Sequence, residues 1–280
     1  MQLSYITNLL SDTPMPFYLR TRQRGMQNWD GKIKYITKTG QFKIGLLPSV
    51  YKRCIELGIK PIIVDMRQSL PKVSKVVTQM GKYKLRPEQE KAVKAILSNK
   101  LGETPFQIGV LDYTVNAGKT LIMSALYLSY KKQLKTLLIT NDSDWLNQAR
   151  DEFKQYLPGE DITFVQGKVL NWSNFTIGMV QSISRNMKYY QNELAKIDMV
   201  LIDEADQGGS KQYQNVITRL FNTRVRIGLS GTIYMSKLAK DKVKNMNLRC
   251  FFGDVIAEFK LKDSIKKGYS TKTIVKNSRR

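Results

Sequence analysis

The sequence predicts an α/β protein in which a small basic N-terminal α/β domain precedes a larger domain with a mostly parallel sheet flanked by helices. Three observations support this prediction. The length of 280 residues and the 42% hydrophobic content are sufficient for about two domains with real cores. Basic residues are densest in the first 82 residues, which carry 14 Lys and Arg against 4 Asp and Glu. Beyond them, apolar segments alternate with helical patterns, which is typical of a doubly wound sheet.

The N-terminal domain, residues 1–82, is predicted to contain a hairpin, a helix and a strand. Two short alternating runs, 32–37 and 41–46, predict the two arms of the hairpin. Apolar residues at helical spacing predict a helix over 48–57 that ends at the following glycine. The short apolar segment 61–65 predicts a strand.

The boundary between the two domains is expected at residue 82, because the stretch 67–84 is polar and basic and contains proline and glycine. The second domain then covers 83–258. Residues 259–280, with eight Lys and Arg against one Asp, are expected to form a basic connector. The strands predicted for the second domain are 108–112, 136–140, 162–165, 176–180, 199–203 and 225–230.

Composition limits both the chemistry and the partners of the chain. No histidine is present, which excludes Ser-His-Asp and Cys-His catalysis and zinc sites with imidazole ligands. Cys54 and Cys250 have no metal-binding or disulfide spacing. We find no signal-peptide pattern and no apolar run of about 20 residues, so we expect a soluble cytoplasmic protein without a membrane partner. The net charge of +23 indicates a polyanionic partner.

A phosphate-binding loop is predicted between the strand 108–112 and the apolar helical stretch 121–130. Backbone N–H groups at the start of a helix hold phosphate, while Lys119 reaches the β- and γ-phosphate oxygens and the Thr120 hydroxyl binds Mg²⁺. Tyr113 stands where this pattern has its first glycine, and an ordinary helix start is the alternative interpretation. The nucleotide-binding residues assigned here are Val115, Asn116, Ala117, Gly118, Lys119 and Thr120.

The buried strand 199–203 ends at an acidic residue, the first of the sequence Asp-Glu-Ala-Asp at 203–206. Ligands bind at the carboxyl edge of such a sheet. We expect Asp203 to hold Mg²⁺ and Glu204 to orient and deprotonate the attacking water, a task otherwise hard to assign in a chain without histidine. An acidic loop that caps a helix is the alternative.

Two weaker segments complete the set. The strand 225–230 ends in Ser230, Gly231 and Thr232, small residues that could sense the γ-phosphate through the metal-site acids. Upstream, the sequence Leu-Arg-Pro-Glu-Gln at 85–89 opens a helix, and a glutamine amide can pair with both a donor and an acceptor on adenine. A solvated helix face is the alternative for this second segment.

In this order and spacing, the four segments resemble the motor signatures of superfamily 2 helicases. The resemblance implies that the second domain is a RecA-like domain that binds ATP and Mg²⁺. It implies that Arg86 and Gln89 lie at the adenine and that Lys119 and Glu204 carry the catalysis. The residues after strand 225–230 would couple hydrolysis to movement of the nucleic-acid strand.

The resemblance extends to two segments that contact the nucleic-acid backbone in this family. The first is 141–148, which includes Ser143 and begins with Asn and Asp where the family usually has Pro and Thr. The second contains Gln181 and Ser182. These three side chains are therefore expected to bind nucleic acid.

The segment 25–34 is similar to a stretch that precedes the motor domain in phage recombination helicases. In those proteins a small basic domain accompanies DNA remodelling. The residues 28–31 (Asn-Trp-Asp-Gly) are alternatively a simple turn with Trp29 packed beneath it. Phosphate contacts are expected from the surrounding basic side chains, Arg20, Arg22, Arg24, Lys32 and Lys34.

The function implied by the resemblance is an ATP-dependent DNA helicase or translocase that unwinds or branch-migrates recombination and replication-fork intermediates, with branched or single-stranded DNA as its partner. The resemblance reaches only the first half of such a motor, whose second RecA-like domain supplies arginine fingers. We therefore expect an N-terminal half that is weak or inactive alone. Three alternatives stay open: an RNA helicase, a DNA-packaging ATPase, and a DNA-binding module with a phosphate loop but no turnover.

Overall fold

The computed structural model describes residues 11–12, 33–167, 172–234 and 239–271. Near its N-terminal side, strand β1 (Ser11–Asp12) pairs antiparallel with strand β2 (Ile33–Lys34). A turn and a single bridge between Ile36 and Phe42 follow. The predicted hairpin is therefore present in a short form, although its second arm continues as a 3-10 turn rather than as a strand.

Helix α1 (Leu47–Glu56) confirms the helix predicted over 48–57. It ends before Gly58, whose φ of 73° lies in the left-handed region that favours glycine. The strand predicted over 61–65 is wrong. This segment joins no sheet, and Ile62 and Val64 are 87% and 73% exposed, because it finds no neighbouring strand among the described residues.

Two short antiparallel pairs flank the next helix. Strands β3 (Gln79–Met80) and β4 (Tyr83–Lys84) form the first pair, and helix α2 (Pro87–Ser98) follows. Strands β5 (Lys100–Leu101) and β6 (Thr104–Pro105) form the second pair. The boundary expected at residue 82 falls in the turn between β3 and β4, and the division into domains at that point stays a prediction.

The centre of the molecule is a seven-stranded sheet in which every neighbouring pair is parallel. Its strands are β7 (Ile108–Tyr113), β8 (Thr136–Thr140), β9 (Ile162–Val165), β10 (Phe175–Met179), β11 (Met199–Asp203), β12 (Val225–Ser230) and β13 (Val255–Phe259). They lie in the order β13-β7-β12-β11-β8-β10-β9. The six predicted strands are confirmed to within one residue at each end. Strand β13 was missed, and the boundary expected between 258 and 259 falls inside it.

Helices cover both faces of this sheet. Those that follow α2 are α3 (Lys119–Ser129), α4 (Ser143–Tyr156), α5 (Val180–Arg185), α6 (Met187–Ala195), α7 (Lys211–Ile217), α8 (Ala239–Phe252) and α9 (Leu261–Lys266). Helices α2, α3 and α4 pack on one face, and α5 to α8 pack on the other. Among the described residues, no helix combines the length and the apolar character that crossing a bilayer requires.

The central strands are apolar on both faces because both faces are covered. In β11, Leu201 belongs to the core beneath α2 to α4, whereas Val200 and Ile202 belong to the core beneath α5 to α8. Continuous apolar runs are typical of such parallel strands. Asp203 and Ser230, two of the polar residues of these strands, consequently stand where β11 and β12 end, at the carboxyl edge of the sheet.

Candidate nucleotide-binding site

The loop between β7 and α3 has the backbone of a phosphate loop. Gly118, the residue before α3, is left-handed with φ 71° and ψ 48°, and Asn116 has φ 63°. Tyr113 has no such φ, so the backbone at the first glycine of the usual pattern does not require glycine here. Its side chain is fully buried and its hydroxyl donates a 2.8 Å hydrogen bond to the Glu88 carbonyl. Burial raises the pKa of Tyr113 to about 12, which keeps the hydroxyl a neutral donor.

The two residues predicted at the adenine contact this loop directly. The Gln89 Nε2 donates to the Ala117 carbonyl at 2.9 Å, and Arg86 Nη2 donates to the Asn116 carbonyl at 3.2 Å. A Cβ atom added at Gly118 would lie 2.3 Å from Gln89 Nε2. Helix α2 therefore begins directly against the phosphate loop, and this close approach depends on glycine.

The predicted catalytic acids face the loop lysine across one strand. Strand β12 separates β7 from β11, and Lys119 Nζ lies 3.9 Å from Asp203 Oδ1. Burial raises the pKa of Asp203, while the charge of Lys119 opposes the shift. Burial also raises the pKa of Glu204. Glu204 has φ 51°, a conformation that non-glycine residues rarely adopt and that is concentrated at functional sites.

The residues predicted to couple hydrolysis to movement bond to the acidic segment. Ser230 Oγ donates to Asp206 Oδ1 at 2.9 Å and accepts from the Thr232 N–H at 3.1 Å. A Cβ atom at Gly231 would lie 3.2 Å from the Tyr113 carbonyl oxygen. No role was predicted for Asp206 or Tyr113 from the sequence, because their contacts join segments that are far apart in the chain.

The residues at the carboxyl edge fit a nucleotide with its magnesium ion. The Thr120 side chain is buried in the first turn of α3, and Asp203 is buried at the end of β11. Mg²⁺ is usually held by one or two protein oxygens together with phosphate oxygens and water. Within the described ranges, no cluster of three or more His, Cys, Asp and Glu residues that could hold a metal ion is found.

The predicted nucleic-acid residues of the second domain lie beyond the ends of the neighbouring strands β8 and β10. Ser143 is exposed at the start of α4, where Asp142 accepts hydrogen bonds from two backbone N–H groups. Gln181 Nε2 donates to the Asn141 carbonyl at 3.2 Å, which joins the two predicted segments. Ser182 Oγ accepts from the Gly167 N–H at 3.1 Å.

Most of the basic residues expected to grip phosphate near the N-terminus cannot be placed. Lys34 is exposed in β2. The remaining predicted positions, Arg20, Arg22, Arg24 and Lys32, lie outside the described residues, as does the segment 28–31.

A parallel sheet in this order, with a lysine at the start of a helix facing an acid at the end of the next strand but one, defines a RecA-like domain. Residues 82–235 match the family described as the type III restriction enzyme, res subunit. This match spans more than half of the chain, and the chain belongs to that family.

Two relatives and one solved structure show what the chain is similar to. A protein of Acanthamoeba polyphaga mimivirus, named as an ATP-dependent RNA helicase, is 26% identical over 147 residues, which are 52% of this chain and 27% of the relative. The ATP-dependent DNA helicase uvsW of Enterobacteria phage T4 is 24% identical over 227 residues, 74% of this chain and 43% of the relative. A crystal structure of the UvsW helicase superposes with a TM-score of 0.68 at 21% identity, covering 91% of this chain and 92% of that one.

These comparisons support the RecA-like fold, and both curated relatives are named as ATP-dependent helicases. The chain spans less than half the length of either curated relative.

Proposed function

We propose that this chain supplies the first RecA-like motor domain of an ATP-dependent DNA helicase or translocase of superfamily 2. The observation that carries the proposal is the approach of Lys119 Nζ to within 3.9 Å of Asp203 Oδ1 at the carboxyl edge of the sheet. A lysine at the start of a helix and an acid at the end of a nearby strand of the same sheet are the two groups that hold a nucleoside triphosphate and its metal.

The nucleotide roles are assigned from the resemblance to superfamily 2 helicases and from the positions of these groups. Backbone N–H groups of residues 115–118 and the Lys119 ammonium bind the phosphates, while Arg86 borders the adenine. Gln89 holds the start of α2 against the loop, because its amide donates to the Ala117 carbonyl and accepts from the Arg86 N–H. Thr120 and Asp203 hold Mg²⁺, which neutralises charge on the phosphate oxygens when it is bound. Glu204 orients the attacking water and accepts its proton.

Ser230 and Thr232 couple the state of the nucleotide to the surface that binds the nucleic acid. Ser230 bonds to Asp206, and Asp206 follows the proposed base by two residues. Loss of the γ-phosphate would therefore be transmitted from the acidic segment to strand β12 through the hydrogen bond between Ser230 and Asp206. Gly231 keeps this segment close to the end of β7.

DNA is proposed to bind through its backbone along Ser143, Gln181 and Ser182, with the basic residues of 1–82 as an accessory DNA-binding domain. Recombination or replication-fork intermediates, branched or single-stranded, are the proposed substrates, by analogy with the DNA helicase that the chain resembles. A second RecA-like domain is expected in the full-length protein, since both curated relatives are more than twice as long as the matched region. RNA is the second candidate, because one relative is named as an RNA helicase.

The nucleotide proposal is tested by binding of ATP with Mg²⁺ to the wild-type protein and to Lys119→Ala. We expect the substitution to abolish measurable binding. The matched control is Lys94→Ala, which removes an exposed lysine of helix α2 and should bind ATP like the wild type. Equal affinity in the wild type and in Lys119→Ala contradicts the proposal.

The nucleic-acid proposal is tested by the affinity for fork, Holliday-junction and single-stranded DNA and for an RNA of the same sequence. Because counterion release dominates backbone binding, we expect the affinity to fall by at least roughly tenfold between about 50 and 200 mM salt. Binding that is unchanged by salt contradicts a backbone-binding surface. Tighter binding to RNA than to any of the DNA forms favours the RNA helicase.

A further inference from the structure

The segment after β13 packs against the start of helix α2. Lys260 forms an ion pair with Asp112, in the strand that leads into the phosphate loop. Lys267 Nζ lies 2.6 Å from Glu88 Oε2, and the Tyr269 ring lies 4.2 Å from the Arg86 guanidinium carbon. Residues 260–269 therefore touch the two elements that border the proposed nucleotide site, β7 and α2.

Tyr269 is placed by a defined helix end. The Tyr269 N–H donates to the Ser264 carbonyl at 2.9 Å, and the Gly268 N–H donates to the Ile265 carbonyl at 3.0 Å. Gly268 has φ 73°. These two bonds around a left-handed glycine form a Schellman motif, which turns the chain back against its own helix, α9. The position of the Tyr269 ring is thus built into the fold of the segment.

The Arg86 guanidinium is fixed from three directions. Nη2 bonds to the Asn116 carbonyl of the phosphate loop, and Nε lies 3.3 Å from Glu88 Oε1. The guanidinium carbon lies over the Tyr269 ring, 4.2 Å from its centroid. Since 27% of the Arg86 side chain remains exposed, the plane is held without being enclosed.

A guanidinium plane fixed in this way can stack on a nucleobase. It lies beside the phosphate loop, with Gln89 close by at Gly118.

We propose that Tyr269 is a positioning residue for the nucleobase, which stacks on the Arg86 guanidinium while Tyr269 supports the opposite face. Lys267 assists by holding Glu88, the acid beside Arg86. The proposal rests on the proposed ATP site and adds to it a wall contributed by the segment that follows the sheet. It assigns a nucleotide role to residues that lie more than 140 positions beyond the phosphate loop.

The test compares two ligands in the 280-residue chain: ATP, which has a base, and inorganic tripolyphosphate, which has none, each with Mg²⁺. The variants are Tyr269→Ala, Tyr269→Leu, which retains bulk without a ring, and Tyr269→Phe, which retains the ring. Thermal unfolding of each variant shows whether it is folded. Lys119→Ala serves as the control for loss of phosphate binding.

The Ala and Leu variants are expected to bind ATP about two- to fivefold more weakly, the size of one exposed cation–π contact. The affinity of both for tripolyphosphate should equal that of the wild type, and Phe should restore ATP binding. Unchanged ATP affinity in the Ala and Leu variants, or an equal loss for both ligands, overturns the role of Tyr269. If instead the wild type binds neither ligand better than Lys119→Ala does, the proposed ATP site itself fails.

Discussion

The Ser230 hydroxyl donates a 2.9 Å hydrogen bond to Asp206 Oδ1 and so ties the end of strand β12 to the turn that follows strand β11. The two residues are 24 positions apart; Ser230 ends the buried strand β12, and Asp206 lies three residues beyond the end of the buried strand β11. Because β12 lies between the phosphate-loop strand and the strand of the acids, this bond joins the segments on which the proposed chemistry depends.

Replacement of Ser230 by alanine tests this link. The substitution removes a hydrogen bond to a charged group, a contact worth about 1.5–3 kcal/mol. We expect ATP affinity to stay within about twofold of wild type, because Ser230 is not among the residues assigned to the nucleotide. DNA-stimulated ATP turnover should fall. Steady-state hydrolysis with and without DNA measures this, and Ser98→Ala, on the exposed side of α2, is the matched control. Wild-type turnover in Ser230→Ala would refute the coupling role.

We predict that replacement by alanine has unequal effects at Gly118 and Gly81, two glycines with a left-handed backbone conformation. Gly118 and Gly81 have φ 71° and 56°, so alanine strains the backbone at both, at a cost of about 1–2 kcal/mol. Only at Gly118 does the new Cβ meet another group, Gln89 Nε2 at 2.3 Å, whereas nothing lies within 4 Å at Gly81. We therefore expect Gly118→Ala to lose ATP binding and Gly81→Ala to retain it. Loss of ATP binding in Gly81→Ala as well would mean that general destabilisation, rather than a change in the phosphate loop, is responsible.

The exposed segment before the sheet is held by a half-buried charge cluster whose pH dependence can be predicted. Asp65 Oδ2 lies 2.7 Å from Arg67 Nη2 and 3.3 Å from Arg224 Nε, at the start of β12. The hydrogen bonds from Arg67 hold the pKa of Asp65 below its ordinary value of 3.8. The ionised carboxylate thus stabilises the folded protein above that ordinary pKa, and this contribution is lost as pH falls through the lowered pKa of the folded state.

Asp65→Asn should consequently lower the free energy of unfolding by about 1.5–3 kcal/mol at pH 7. The difference from wild type should shrink when urea unfolding is repeated at pH values below the ordinary pKa of aspartate. Asp161→Asn, at an exposed acid, is the control and should unfold like the wild type at each pH. A difference between Asp65→Asn and wild type that is the same at all pH values would exclude the ion pairs as its source.

The sheet could be read from the sequence where strands are buried on both faces, because continuous apolar runs such as β11 are distinctive. Strand β13 was not predicted from the sequence, for the opposite reason. It lies at the sheet edge, Val255 is 37% exposed, and its register shifts between Val255 and Ala257, so no clear pattern marks it. The segment 61–65 shows the reverse error, since an apolar run predicts a strand only where a partner strand is available.

The candidate site could be read from local motifs, but its contacts could not. Lys119 and Asp203 were assigned from their positions after predicted strands, and the structure places them together. The bond from Tyr113 to the start of α2 and the stacking of Tyr269 on Arg86 join residues far apart in the chain. Such contacts follow from packing, which no local pattern records.

The most direct test of the account is DNA-stimulated ATP hydrolysis by the full-length protein, compared with Glu204→Gln on fork, Holliday-junction and single-stranded DNA. Glutamine keeps the shape of the side chain but cannot accept the proton, so we expect turnover to fall by about 10²-fold or more while ATP binding is retained. Glu103→Gln, at an exposed turn between β5 and β6, should hydrolyse ATP like the wild type. Hydrolysis by Glu204→Gln at the wild-type rate, or a rate that no DNA stimulates, would contradict the assignment of this chain to a DNA-dependent motor.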